Sequence, residues 1–166
     1  YIELWGGFPH AYVEDLKKNG TAHIRALIDK YNIPVECFTP EHNAYPFNYM
    51  TGDEYQWERS MKYLEDAIDI TSEIGAEKML FSAGHAGYQI SERDISARLI
   101  KSLKRLSSYA EQKNVTLILE PLTIYESNTI CSLRDLERAL TEVDHKNLAG
   151  MSDLAVPFTT GEPASE

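Results

Sequence analysis

Two hydrophobic periods take turns along this chain. Short runs rich in β-branched, leucine and aromatic residues occur at Ile2–Trp5, Ile33–Thr39, Glu77–Ser82, Val115–Glu120 and Leu148–Asp153, and each reads as a strand. Between them lie stretches whose apolar residues recur every three or four positions. Ile24, Leu27, Ile28 and Tyr31 share one face of residues 21–31. Met61, Leu64, Ile68 and Thr71 form a stripe over residues 53–74, and Gly75 follows as a fitting stop. Ile95, Leu99, Leu103, Leu106 and Ala110 line up behind a Ser-x-x-Asp start at Ser91 and Asp94. Leu133, Leu136 and Leu140 do so behind Ser132 and Asp135. Both starts are capping-box variants in which Asp replaces the commoner Glu.

Strand starts at positions 2, 33, 77, 115 and 148 are about 30 to 45 residues apart, so the order is βα repeated. That alternation predicts a parallel sheet covered by helices. The Val115–Glu120 run carries no polar alternation and predicts a strand buried on both faces. A dinucleotide-binding sheet would carry a glycine-rich turn and a helix straight after its first strand. Trp5-Gly6-Gly7-Phe8-Pro9 is not Gly-x-Gly-x-x-Gly and leads into no immediate helix. Instead Trp5, Glu41, His85, Glu120 and Asp153 fall at successive strand ends, the pattern of a (β/α)8 barrel. The expected fold is α/β: a partial TIM barrel of about five βα units, forming a single domain over residues 1–166.

The chain has 166 residues, 43% of them hydrophobic, enough for one buried core. No apolar run approaches the roughly 20 residues that span a bilayer, so no membrane contact is expected. Cys37 and Cys131 have no metal-type spacing, which suits a reducing cytoplasm. Lys and Arg total 16 against 26 Asp and Glu, a net charge of −10 that repels phosphate backbones and disfavours nucleic acid as a partner. Residue 1 already belongs to a strand pattern, and residues 159–166 trail off without a closing element, so the chain reads as a fragment of a longer barrel.

Glu120 closes an apolar strand, and Pro121 stops that strand, placing the carboxylate at the end where parallel sheets bind ligands. A charge there is costly without a partner. Asp153 ends the next run. Neighbouring strands lie only about 4.8 Å apart, so the two carboxylates can meet on a divalent cation such as Mg, Mn or Co. Asp153 reads equally well as a turn-capping carboxylate. His85 sits among small residues in Ser82-Ala83-Gly84-His85-Ala86-Gly87, facing the same cavity or merely ordering a turn. Glu126 reads, by pattern alone, as a solvated loop charge. Trp5 suits stacking on a sugar ring or plugging the barrel mouth. Glu41 opens an aromatic, Pro-bounded loop from Thr39 to Asn48 that suits a pocket wall. No nucleophile elbow and no Walker loop is present.

Several stretches together resemble the xylose-isomerase-like barrel family of sugar isomerases, epimerases and apurinic-site endonucleases, and within it the fructoselysine and ketose 3-epimerases. They are residues 2–11, Thr39-Pro40-Glu41 through Asn48, His85-Ala86-Gly87-Tyr88, and Leu119-Glu120-Pro121-Leu122 with Tyr125-Glu126-Ser127-Asn128. The resemblance implies a chain lacking the first βα unit and the last two. It implies a divalent metal held by Glu, Asp, His and a second Glu; Glu120 and Asp153 match the first two, and the others would lie beyond residue 166. It makes Glu120 catalytic and places Glu126, His85, Trp5 and Glu41 around a sugar or sugar-amine substrate. The implied reaction inverts C3 of a ketose or fructosamine through an enediolate, with residues 1–166 alone inactive. Alternatives are an apurinic-site endonuclease-like hydrolase, disfavoured by the acidic charge and by Val156 three residues past Asp153, or a non-catalytic sugar-binding barrel. Barrels of this kind often pair, which leaves a homo-oligomer open.

Overall fold

A computed structural model describes residues 1–43 and 46–163. Ala44 and Tyr45 of the aromatic loop, and residues 164–166 of the trailing end, lie outside the described residues. The elements run β1 (Ile2–Gly6), α1 (Val13–Asn19), α2 (Ala22–Tyr31), β2 (Val35–Pro40), α3 (Glu54–Glu73), β3 (Lys78–Ser82), α4 (Glu92–Lys113), β4 (Thr116–Glu120), α5 (Leu133–Val143), β5 (Leu148–Gly150) and α6 (Ala155–Thr160). The five strands form one sheet in the order β1-β2-β3-β4-β5, and every pairing is parallel. Sequential order with a helix after each strand is barrel topology, and the expected partial TIM barrel is what the chain forms.

The local chemistry explains the boundaries. Asp53 accepts from the Gln56 N–H and starts α3, while Gly75, at φ +82°, donates to the Ser72 carbonyl and ends it. Ser91 and Ser132 accept from the N–H groups of Asp94 and Asp135 as expected. The reciprocal half of each box differs, because aspartate is a methylene shorter than glutamate. Asp94 and Asp135 take the serine hydroxyl proton at 2.7 Å in both cases. Asn32, Asn114 and Asp144 adopt the left-handed conformation at the ends of α2, α4 and α5.

Register sorts the side chains onto two faces. Leu4, Phe38, Met79, Leu117 and Leu148 form one row, with Phe81, Leu119 and Gly150 above it. This face packs under the helices; Phe38, Met79, Leu117 and Leu119 are fully buried. Glu3, Cys37, Lys78 and Thr116 form a row on the other face, followed by Trp5 with Thr39, Leu80 with Ile118 and Ala149, and Ser82 with Glu120. Three expectations change here. β4 is not sealed on both faces: Thr116, Ile118 and Glu120 are half-buried, and among the described residues no helix covers the inner face. β5 ends at Gly150, so Asp153 lies three residues beyond it; Met151 still donates to the Leu119 carbonyl, and then the chain leaves the sheet. β2 starts at Val35, after Asn32 reverses the chain and Pro34 withholds a donor. The short helices α1 and α6 are too brief to give a periodic signal in the sequence. Among the described residues no helix is long and apolar enough to cross a membrane.

Candidate active site

Glu120 stands where the sequence places it, at the last residue of β4 beside Ser82 of β3. Its carboxylate is half-buried and, among the described residues, has neither a hydrogen-bond donor nor a cation beside it. Burial pushes its carboxyl above the usual carboxylate range, and the negative charges of Asp153, Glu3 and Glu126 push the same way. Asp153 acts most strongly of the three. The two carboxylates read from strand ends are thus brought together electrostatically.

Asp153 is exposed, and its Oδ1 accepts from the Ala155 N–H at 2.8 Å, so it opens the turn into α6. That is the capping role, filled by one oxygen only. Glu126 also does local work: its Oε2 accepts from the Thr123 N–H (3.1 Å) and hydroxyl (2.7 Å). Its charge still reaches Glu120. Trp5 and Glu41 meet each other, with the Trp5 Nε1–H donating to Glu41 Oε2 at 3.2 Å. The Trp5 ring lies against Gly7, where a Cβ would collide with it, so Gly7 is the floor of this corner. The Glu41 carbonyl accepts from the Tyr63 hydroxyl at 2.7 Å, which ties the pocket-wall loop to α3.

His85 is half-buried; its Nδ1 accepts from the Gly87 N–H at 2.9 Å, and Tyr88 packs edge-on to the ring at 4.9 Å. The loop carrying it is gripped from both sides. Asn48 Nδ2 donates to the His85 carbonyl at 2.8 Å from the β2–α3 loop. Thr129 Oγ1 donates to the Gly84 carbonyl at 2.8 Å from the β4–α5 loop, and the Ser127 hydroxyl joins it. A rim held this way keeps side chains in place before a ligand arrives.

Three residues at this end were not singled out by sequence reasoning. Glu3 faces inward and its Oε1 accepts from the Thr39 hydroxyl at 2.6 Å. The period-two pattern of Ile2-Glu3-Leu4-Trp5 carries the signal, since Glu3 and Trp5 share a face opposite Leu4. His42 is sealed between Tyr49 and Phe81, and its Nε2 accepts from the Ser82 N–H at 3.2 Å. Burial drops its imidazole to a pKa of about 4. Nothing local in the sequence separates it from a loop histidine. Asn128 bonds the Ala86 N–H and the Gly87 carbonyl, a role visible only across loops.

Glu120 has the chemistry to hold a cation, because among the described residues this half-buried carboxylate, with three others acting on it, has no compensating charge. Glu120 and Asp153 offer two oxygen donors; no cluster of three or more His, Cys, Asp or Glu suited to a metal forms among the described residues.

The sequence model of the xylose isomerase-like TIM barrel matches residues 1–163. Fructoselysine 3-epimerase of Shigella flexneri is 44% identical over 162 residues, covering 98% of this chain and 59% of its own length. Fructoselysine 3-epimerase of Escherichia coli O157:H7 is 43% identical over the same span. The chain therefore extends over about three-fifths of these relatives. Among solved structures, a D-tagatose 3-epimerase-like protein superposes with a TM-score of 0.79 at 17% identity, over 93% of this chain and 56% of that one, a likeness of fold.

Proposed function

This chain belongs to the xylose isomerase-like TIM barrel family, and on that premise we propose that the protein is a sugar epimerase inverting C3 of a ketose or of a fructosamine such as fructoselysine. The observation that carries this reading is Glu120: a half-buried carboxyl at a strand end, raised by burial and by three neighbouring carboxylates. A proton at C3 beside a ketone is weakly acidic because its removal gives an enediolate. A base for that step works best with its pKa moved towards neutrality, the direction in which Glu120 is shifted. Glu120 removes the C3 proton, and a second carboxyl on the opposite face of the sugar returns one, inverting the centre. We place that second carboxyl in the length by which the curated relatives exceed this chain.

Glu120 and Asp153 would hold a divalent cation, Mg, Mn or Co, which when bound supplies Lewis acidity to the sugar oxygens. Trp5, held by Glu41, offers an aromatic face for the sugar ring. Glu126, fixed by its own loop, and His85, fixed by the rim, frame the remaining polar groups. Inner-face carboxylates such as Glu120, with no cation beside it among the described residues, also suit a substrate carrying an amine. The experiment is isotope exchange at C3 in heavy water, with the intact protein, a divalent cation, and fructoselysine or free ketoses. Exchange at C3 with interconversion of the epimers is expected; absence of exchange with all of these substrates overturns the reading.

A further inference from the structure

We propose that Asn128 is a positioning residue which, through the backbone at Ala86–Gly87, holds His85 as a neutral imidazole whose Nε2–H donates to an oxygen of the sugar. This rests on the epimerase reading for the identity of the substrate, but its geometric part stands alone.

Asn128 Oδ1 accepts from the Ala86 N–H at 2.8 Å, and Nδ2 donates to the Gly87 carbonyl at 2.7 Å. These two groups belong to the peptides on either side of the Ala86–Gly87 bond. The peptide between them carries the Gly87 N–H, and that N–H donates to His85 Nδ1 at 2.9 Å. One carboxamide therefore fixes the direction of the single bond that orients the imidazole. Gly87 adopts φ +80°, a conformation that glycine reaches without strain. The hydroxyl of Thr129 and the amide of Asn48 hold the same loop at Gly84 and His85, so the arrangement is over-determined.

With Nδ1 accepting, the ring proton of the neutral imidazole sits on Nε2. His85 then has no lone pair left for a cation or for the C3 proton; it can only donate. Among the described residues Nε2 has no hydrogen-bond partner, and the His85 side chain is only half-buried. The ring lies at the same strand-end rim as Glu120, since Ser82, three residues before it, is the register partner of Glu120. A fixed neutral donor suits a hydroxyl or carbonyl oxygen of a polyol, whose recognition depends on direction more than on charge.

The test uses 15N-histidine labelling of the intact protein, with His85 assigned by its loss in His85→Gln. Nitrogen shifts should show a protonated Nε2 and a bare Nδ1, and adding fructoselysine or a ketose should move the Nε2–H signal. In Asn128→Ala the His85 signals should move towards a tautomer mixture, and KM should rise about tenfold with kcat changed less. If that variant does not fold, two others decide. A glutamine carboxamide reaches the place of Nε2, so His85→Gln should keep kcat/KM within about fivefold. An asparagine carboxamide reaches only the place of Nδ1, so His85→Asn should lose about 50-fold or more. A protonated Nδ1 in the wild-type protein, an Nε2–H signal indifferent to sugar, or equal losses in His85→Gln and His85→Asn each overturn the proposal. The two ideas fail separately. A missing C3 exchange with a sugar-responsive Nε2–H sinks the epimerase reading alone, whereas exchange with a protonated Nδ1 sinks only the role given to Asn128.

Discussion

The two faces of the sheet are built from the same five strands and do opposite things. Beneath the helices, Phe38, Met79, Leu117 and Leu119 have no solvent exposure at all. On the inner face Trp5 is 52% exposed, Thr116 and Ile118 are half-covered, and charge replaces hydrocarbon at Glu3 and, at the carboxyl end of β4, at Glu120. Strand alternation makes this division free of conflict, because a residue and its successor point to different environments. Stability is concentrated on one face, so the other can carry a crowded, poorly solvated carboxylate. The same separation underlies barrel enzymes, where the helices hold the scaffold and the strand ends hold the chemistry.

The sharpest way to break the comparison is Glu120→Gln, which keeps shape and removes the base. We expect C3 exchange to fall by about 10³-fold, close to 4 kcal/mol of barrel-mouth stabilisation of the transition state, with the far-ultraviolet dichroism unchanged. Exchange within tenfold of wild type would move the base elsewhere. On the helix-facing side the effect should be on folding instead. Leu117→Ala, at zero exposure, should cost about 3 kcal/mol in urea unfolding of this chain. Ile118→Ala, one residue along and half-covered, should cost about 1 kcal/mol. Equal costs would mean that the inner face is as well packed as the outer.

A third test lies where the faces meet at the rim. His42 is buried between Tyr49 and Phe81, its Nε2 taking the Ser82 N–H, and its pKa falls from 6.5 to about 4. Below pH 6.5 the unfolded chain binds this proton first, so stability present above pH 6.5 is lost as the pH drops and levels off beneath pH 4. The full loss is about 3 kcal/mol. His42→Gln, whose carbonyl can still accept from Ser82, should flatten that segment of the curve. An unchanged slope between pH 4 and 6.5 would show that another group sets it.

Much of this is legible in the sequence where local physics decides. Period and punctuation locate all five strands, and Pro121 sets Glu120 at a strand end. Ser91 and Ser132 take up N-cap roles as their positions imply. What escapes depends on partners distant in sequence. Asp153 reads as a strand end because Met151 and Ser152 continue an extended run, yet the strand closes at Gly150, where pairing with β4 gives out. Glu3 draws no notice as a lone charge, though its spacing from Trp5 holds the clue. The grip of Asn128 on Ala86 and Gly87 spans about 40 residues of sequence and has no periodic signature. Glu120 stands out as a candidate in the sequence because an isolated charge closing an apolar strand is costly. The rim that supports it does not, because satisfied polar groups in loops look alike until the fold brings them together.

The smallest effect probes the cost of the inner face itself. The Glu120 carboxyl is raised in the folded protein by burial and by Asp153, Glu3 and Glu126. The folded state therefore holds this proton longer than the unfolded one, and stability declines as the pH rises from about 4.5 through the raised value, then stays lower. Glu120→Gln removes that loss. The side chain is only half-buried, so solvent screens it from its neighbours, which keeps the effect small. Without added metal, the variant should be more stable than wild type by about 0.5–1 kcal/mol at pH 7, and the gain should vanish by pH 4. Adding Mn or Mg should then raise the melting temperature of the wild type more than that of the variant, since binding to the folded state stabilises by mass action. A variant no more stable than wild type at pH 7, or one raised equally by the cation, would show that Glu120 is neither crowded nor the place where positive charge is wanted.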